Sequence, residues 1–161
     1  MATRLLHEMV YDAPAEEVAA MLSDPAFREE VCLAQKAVTH SVSIEGDVNA
    51  KKVSIRMEQP TEKVPSFAKK FIGETVAIAQ DESWTSPTHG DINVTIPGKP
   101  GDMVGTAILV EKDGVTTETV DLQVTVKIPL VAGKLEELIA GLLKKALIAE
   151  QRTGVDWLSR R

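Results

Sequence analysis

The spacing of hydrophobic and polar residues changes along the chain, and each change marks an element. From Thr3 to Asp12 the period is two, with Leu5, His7, Met9 and Tyr11 on one side and Arg4, Leu6, Glu8 and Val10 on the other, which predicts a strand. Pro14 suits the first turn of a helix, Glu16 and Glu17 favour its positive end, and Val18, Met21 and Leu22 recur at helical spacing. Ser23-Asp24-Pro25 ends that helix and caps a second one, about Pro25 to Leu33, with Phe27, Val31 and Cys32 near its apolar side.

From Ala37 the period returns to two and holds for most of the chain. Val38, His40, Val42 and Ile44 alternate with polar neighbours, Gly46-Asp47 turns, and Val53, Ile55 and Met57 continue on the next strand. Pro60 and Pro65 interrupt the strand pattern, and before Gly73 the residues Val64, Phe67, Ala68 and Phe71 fall at helical spacing, which predicts a short inserted helix. Strands resume with Val76, Ile78, Gln80, Glu82 and Trp84 on one parity, then with Ile92, Val94 and Ile96. The run Pro97-Gly98-Lys99-Pro100-Gly101 is a turn, and Asp113-Gly114 joins strands Met103–Lys112 and Val115–Ile128 as a two-residue hairpin. From Pro129 to about Thr153 or a little beyond, a long amphipathic helix places Val131, Leu135, Leu138, Ile139, Leu142, Leu143, Ala146 and Ala149 on one face. Gly133 and Gly141 inside it suggest close approach of a neighbour, with packing the commoner reason.

Helices at the two ends of the chain and strands between them predict an α+β domain: an antiparallel meander of six or seven strands covered by the terminal helix. Its 161 residues fit one domain. The single cysteine, Cys32, excludes an internal disulfide or a multi-cysteine zinc site and reads as a small buried hydrophobe. With no signal-peptide pattern at the start, a reducing cytoplasm is the expectation. Eighteen Lys and Arg against twenty-four Asp and Glu give a net charge of −6, which argues against nucleic acid as a partner. Serine-hydrolase, nucleotide-binding and zinc-protease motifs do not occur, and His7, His40 and His89 lack metal-ligand spacing, so no cofactor or metal is expected.

Several stretches carry a family resemblance: Asp12-Ala13-Pro14-Ala15-Glu16-Glu17-Val18 after the first strand, Ser23-Asp24-Pro25-Ala26-Phe27, Trp84 near the end of a long strand, and Lys127-Ile128-Pro129-Leu130 before the terminal helix. Over nearly its whole length the chain resembles the START and Bet v 1-like superfamily, which includes polyketide cyclases and lipid carriers. Through Phe67-Ala68-Lys69-Lys70-Phe71 and Gly133-Lys134-Leu135-Glu136 it is similar to an uncharacterised bacterial branch of that group. The resemblance implies a helix-grip fold, a curved sheet wrapped on the C-terminal helix, with a cavity between them for an apolar small molecule.

Within that frame the candidate ligand-binding residues are His7, His40, Met57, Phe67, Phe71, Gln80, Trp84, Leu135, Leu138 and Leu142. His7 and His40 share parity with apolar neighbours on strands that the resemblance implies to be adjacent, so a polar spot at one end of the cavity is the sharp reading; core or rim histidines bonded to backbone are the commoner outcome. Glu82 shares parity with Trp84 and would be a general acid if buried, yet solvent exposure is the expectation, because bulges and strand ends re-aim such residues. The Phe67–Phe71 segment with Lys69 and Lys70 reads as a lid over the cavity mouth. A core-completing helix is the alternative, and a transient membrane contact a third possibility. Non-enzymatic binding or transport of a lipid or other hydrophobic molecule is the leading functional expectation. A cyclase-like enzyme and an interaction module with a filled interior are the alternatives.

Overall fold

Nine alternating residues, Thr3–Tyr11, form strand β1, and two short helices follow at once, α1 (Ala15–Leu22) and α2 (Pro25–Ala34). The computed structural model describes residues 2–62 and 64–160, without the side chains of Phe71 and Ile72. Asp24 caps α2, its carboxylate accepting from the Ala26 N–H at 2.9 Å, with Pro25 in the first turn where its missing N–H is harmless. Next come β2 (Thr39–Gly46), β3 (Lys51–Pro60), the short helix α3 (Ser66–Ile72), and strands β4 (Thr75–Ser86), β5 (His89–Thr95), β6 (Asp102–Lys112) and β7 (Val115–Thr125). The hairpin between β6 and β7 turns on Asp113 and Gly114, both at positive φ (54° and 80°), as the dipeptide predicts.

The seven strands make one antiparallel sheet in the order β1-β7-β6-β5-β4-β3-β2. β1 and β2 are therefore its opposite edges, which corrects the expectation that His7 and His40 sit on neighbouring strands. The α1–α2 pair carries the chain from one edge to the other, and α2 packs on β2.

The last helix, α4 (Ala132–Ser159), lies along β1 in the same direction. Thr3 Oγ1 donates to Glu136 at 3.0 Å, and Gln151 Nε2 donates to the Val10 carbonyl at 3.2 Å. Fifteen helical residues at about 1.5 Å and seven strand residues at about 3.3 Å both span roughly 23 Å, so the two elements stay in step. Glu136 also explains why β7 stops earlier than its alternation suggests. Its other oxygen accepts the Val126 N–H at 2.9 Å, taking that donor out of the ladder, and Pro129 and Leu130 (φ 74°) delay the helix to Ala132.

Apolar residues of one parity converge on the concave face, where Met9, Tyr11, Val18, Leu22, Phe27, Val53, Val120 and Val124 are fully buried. Each contributes about 1.5–3 kcal/mol by leaving water. A second, smaller cluster joins Ala68 of α3 to Val126 and Leu135. The close approach expected at Gly133 and Gly141 is absent, since a Cβ at either would meet nothing within 4 Å. It occurs at Gly154, where a Cβ would lie 2.6 Å from Tyr11 Cε1, so the missing side chain lets α4 settle onto β1. Among the described residues no helix is long and apolar enough to cross a membrane.

Candidate functional site

The space between α4 and the sheet has two ends of opposite chemistry. Near Tyr11 it is filled by charge. Arg28 projects from α2, Lys51 and Glu82 from β3 and β4, Glu118 from β7 and Glu150 from α4, each only 2% to 7% exposed. Arg28 forms a two-pronged pair with Glu82, at 3.0 Å and 2.8 Å, while its Nε donates to the Leu22 carbonyl at 2.9 Å. Glu82 also accepts from Trp84 Nε1 at 2.9 Å and from Gln80 Nε2 at 2.6 Å. Burial would raise the Glu82 carboxyl, but the Arg28 charge and these donors hold it below its ordinary value. The exposure expected for Glu82 is thus reversed, because α2 delivers a guanidinium into the sheet that satisfies it.

The remaining charges lack such compensation. Burial, together with the Glu150 charge, raises the Glu118 carboxyl well above its usual range, and its Oε1 has no hydrogen-bond partner. Burial pushes Glu150 up to about 7 against the pull of Arg28. Lys51 is lowered to about 8 by burial and by Arg28; its ammonium, without a hydrogen-bond partner, sits 4.5 Å from the centre of the Trp84 ring. Trp84 itself lies over Gly90, where a Cβ would come within 2.5 Å of the indole. The cluster adjoins a space of about 10 Å³ lined by Arg28, Gln80, Glu150 and Met57 among others, room for about one water. It can hold and exchange a proton, but it offers no room for an organic substrate.

Near Thr3 the interior is open and apolar. A pocket of about 430 Å³ is bounded by Ile96, Val126, Ile128, Leu135 and Ile139, with Gly98, Lys99 and Pro100 of the β5–β6 loop and Lys70 of α3 at its rim. The pocket follows from the fold: α4 stands on β1, and the turn-rich loop after β5 leaves only small and aliphatic side chains to face the first half of the helix.

The sequence-derived candidates are spread across these regions. Leu135 lines the open pocket, and Leu138 packs beside it in the smaller cluster. Met57 and Gln80 border the water-sized space, and Trp84 covers the charges. His7, half-buried opposite Val120, has an Nε2 without a partner, and burial and then Lys144 lower its pKa. His40, half-buried opposite Met57, is on the far edge of the sheet. Phe67 and Leu142 are exposed, and the side chain of Phe71 lies outside the described residues. Arg28, Lys51, Glu118 and Glu150 escaped the sequence reading, although Glu118 has the parity of Val120 and Leu122, and Glu150 falls at helical spacing between Leu147 and Gly154.

Residues 6–158 match the family described as "Protein of unknown function (DUF2505)". The chain belongs to this family. Uncharacterized proteins of Mycobacterium tuberculosis and Mycobacterium bovis are 26% identical over 102 residues, a stretch spanning 60% of this chain and 59% of the length of those relatives. A START superfamily protein from Mycobacterium smegmatis superposes with a TM-score of 0.63 at 14% identity, over 96% of this chain and 98% of that one. Ara h 8.0201 gives 0.60 at 12% identity over 94% and 96%. The di-domain ARO/CYC StfQ from the steffimycin biosynthetic pathway gives 0.65 at 8% identity, over all of this chain and 52% of that one. The family member described here therefore has the START and Bet v 1-like helix-grip fold, as the resemblance implied.

Proposed function

We propose that this protein binds a lipid or other hydrophobic small molecule in the open pocket, without transforming it, in a reducing cytoplasm. The observation that carries the reading is the pocket of about 430 Å³ whose walls are Ile96, Val126, Ile128, Leu135 and Ile139. Its size is that of small-molecule sites, and every roughly 100 Å² of apolar ligand surface removed from water contributes about 2.5 kcal/mol. The fold shared with START-type proteins supports the same reading.

A cyclase-like enzyme is the second reading, favoured by the buried carboxylates of Glu118 and Glu150 and by the likeness to an ARO/CYC protein. Against it, Glu150 borders a water-sized space, and neither carboxylate lines the open pocket. An open pocket also counts against an interaction module with a filled interior.

Native mass spectrometry of freshly purified protein tests the proposal, together with displacement of an environment-sensitive apolar dye. Adducts of lipid mass in the wild type, reduced in Ile139→Trp, are expected. A wild type that carries no adduct and leaves the dye unbound would remove the carrier reading.

A further inference from the structure

The rim of the open pocket carries a charge opposite to that of the chain as a whole. Helix α3, the β5–β6 loop (96–101), the β7–α4 segment (126–131) and the first turn of α4 (132–135) contain Lys69, Lys70, Lys99, Lys127 and Lys134 and no acidic residue, in a chain of net charge −6. All five lysines are exposed. Glu62, Glu74, Asp102 and Glu137 lie just outside these stretches, and Glu136 is turned inward, its two oxygens committed to Thr3 and Val126.

Two apolar side chains stand among the lysines. Leu130 is fully exposed, on a left-handed backbone (φ 74°) that disfavours any residue with a Cβ. Its surface gains nothing from the folded chain, so folding alone does not account for a leucine there. Phe67 is exposed on α3, the helix that contributes Lys70 to the pocket rim. The feature therefore combines apolar tips on two separate segments, exposed lysines on those segments and their neighbours, and an apolar pocket that Lys70 and Lys99 border.

We propose that this end of the molecule docks on an anionic membrane surface, with Leu130 and Phe67 entering the acyl boundary and the lysines lying at lipid phosphates. Each part of the arrangement has its counterpart in a bilayer: phosphates match the exposed lysines, and a continuous apolar layer accepts tips from two different segments. An acidic protein would match the charge but would need its own cavities for the two tips. Elsewhere the chain is strongly acidic and repels the same membrane, so docking is oriented and the pocket opens toward the lipid. The inference stands apart from the ligand reading.

The test is co-sedimentation of the full chain with vesicles of phosphatidylcholine alone and of phosphatidylcholine mixed with phosphatidylglycerol, at low and high salt. Binding to the anionic vesicles alone, weakening with salt, is expected. Each lysine neutralised in the set K69Q, K70Q, K127Q and K134Q lowers the partition constant about fivefold, and Leu130→Ser lowers it about tenfold. These positions are exposed, and an unchanged melting curve verifies that the variants fold. Leu130→Trp provides a second readout, a blue-shifted emission on anionic vesicles. Absence of binding to anionic vesicles, binding indifferent to the lysine set, or an unshifted emission of the tryptophan variant overturns the proposal. Dye binding in vesicle-free solution, measured in parallel, separates this result from the carrier reading: either can fail while the other stands.

Discussion

At the Tyr11 end of α4 five charged side chains are packed away from water, whereas at the Thr3 end aliphatic side chains face an opening of about 430 Å³. Each end inverts the usual placement of polar and apolar groups. The closed end tolerates Glu82 because α2 brings the Arg28 guanidinium to β4, where four donor contacts from Arg28, Trp84 and Gln80 satisfy the carboxylate. The open end tolerates apolar exposure because concave walls shelter it. The contrast teaches that one helix can cover a buried charge cluster at one end and, at the other, where Glu136 ties it to Thr3 and Val126, border an apolar pocket. Departures from plain core packing tend to fall where a protein does its work.

The sharpest way to break this contrast is to remove the guanidinium. Arg28→Met leaves Glu82 buried without its partner and is expected to destabilise the fold by about 3–5 kcal/mol in denaturant unfolding. A loss under about 1 kcal/mol would show that pairing does not hold the closed end.

A smaller effect comes from pH. Glu150 and Glu118, facing Arg28 on α2 and Glu82 on β4, have folded-state pKa values above their ordinary ones, so the native state holds more protons than the unfolded chain above the ordinary carboxylate range, for Glu150 up to about 7. Stability falls as pH rises through that window, and the contribution is fully present only below it. Glu150→Gln should flatten this fall, gaining on the order of 2 kcal/mol over the wild type above neutrality and little in mild acid. Thermal melts across that range decide the point, and a profile identical to the wild type would mean Glu150 is ionised throughout.

The smallest effects come from a matched pair of glycines on α4. Gly154→Ala forces a methyl against Tyr11 and Met21 and should cost about 1–3 kcal/mol. Gly141→Ala meets nothing and should instead stabilise the helix by up to about 1 kcal/mol. If both substitutions shift the unfolding midpoint the same way, the two halves of α4 are packed alike and the contrast fails.

How far the fold was legible follows from where local pattern was enough. The alternation in Val120, Leu122 and Val124 names its strand because that face is buried along its length, whereas the stripe from Leu135 to Ala149 names its helix by spacing, with Leu135 buried, Leu142 exposed and the rest half-buried. The end of β7 was not legible, since it is set by Glu136 reaching back ten residues to the Val126 N–H. Glu82 carried the right parity, but its burial depends on Arg28, fifty-four residues earlier in the chain. No local spacing reports such a partner. The histidine pair failed for a topological reason: parity places both inward, but strand order puts them on opposite edges. The pocket's aliphatic walls, Ile96, Val126, Ile128 and Ile139, were visible as apolar positions, but their convergence on one opening arises from how the loop and helix meet.

The pairing of β1 with β7 has a kinetic side. Residues 3–11 bond to residues 116–124, whereas β2 through β7 each have a neighbour close along the chain. During synthesis the first strand emerges long before its only sheet partner exists, while the meander can zip hairpin by hairpin. Closing so long a loop is entropically slow, which places edge closure late and leaves the apolar parity of Leu5, Met9 and Tyr11 waiting in the nascent chain. Helices α1 and α2, the next two elements after that strand, are the first folded surface available to shield it.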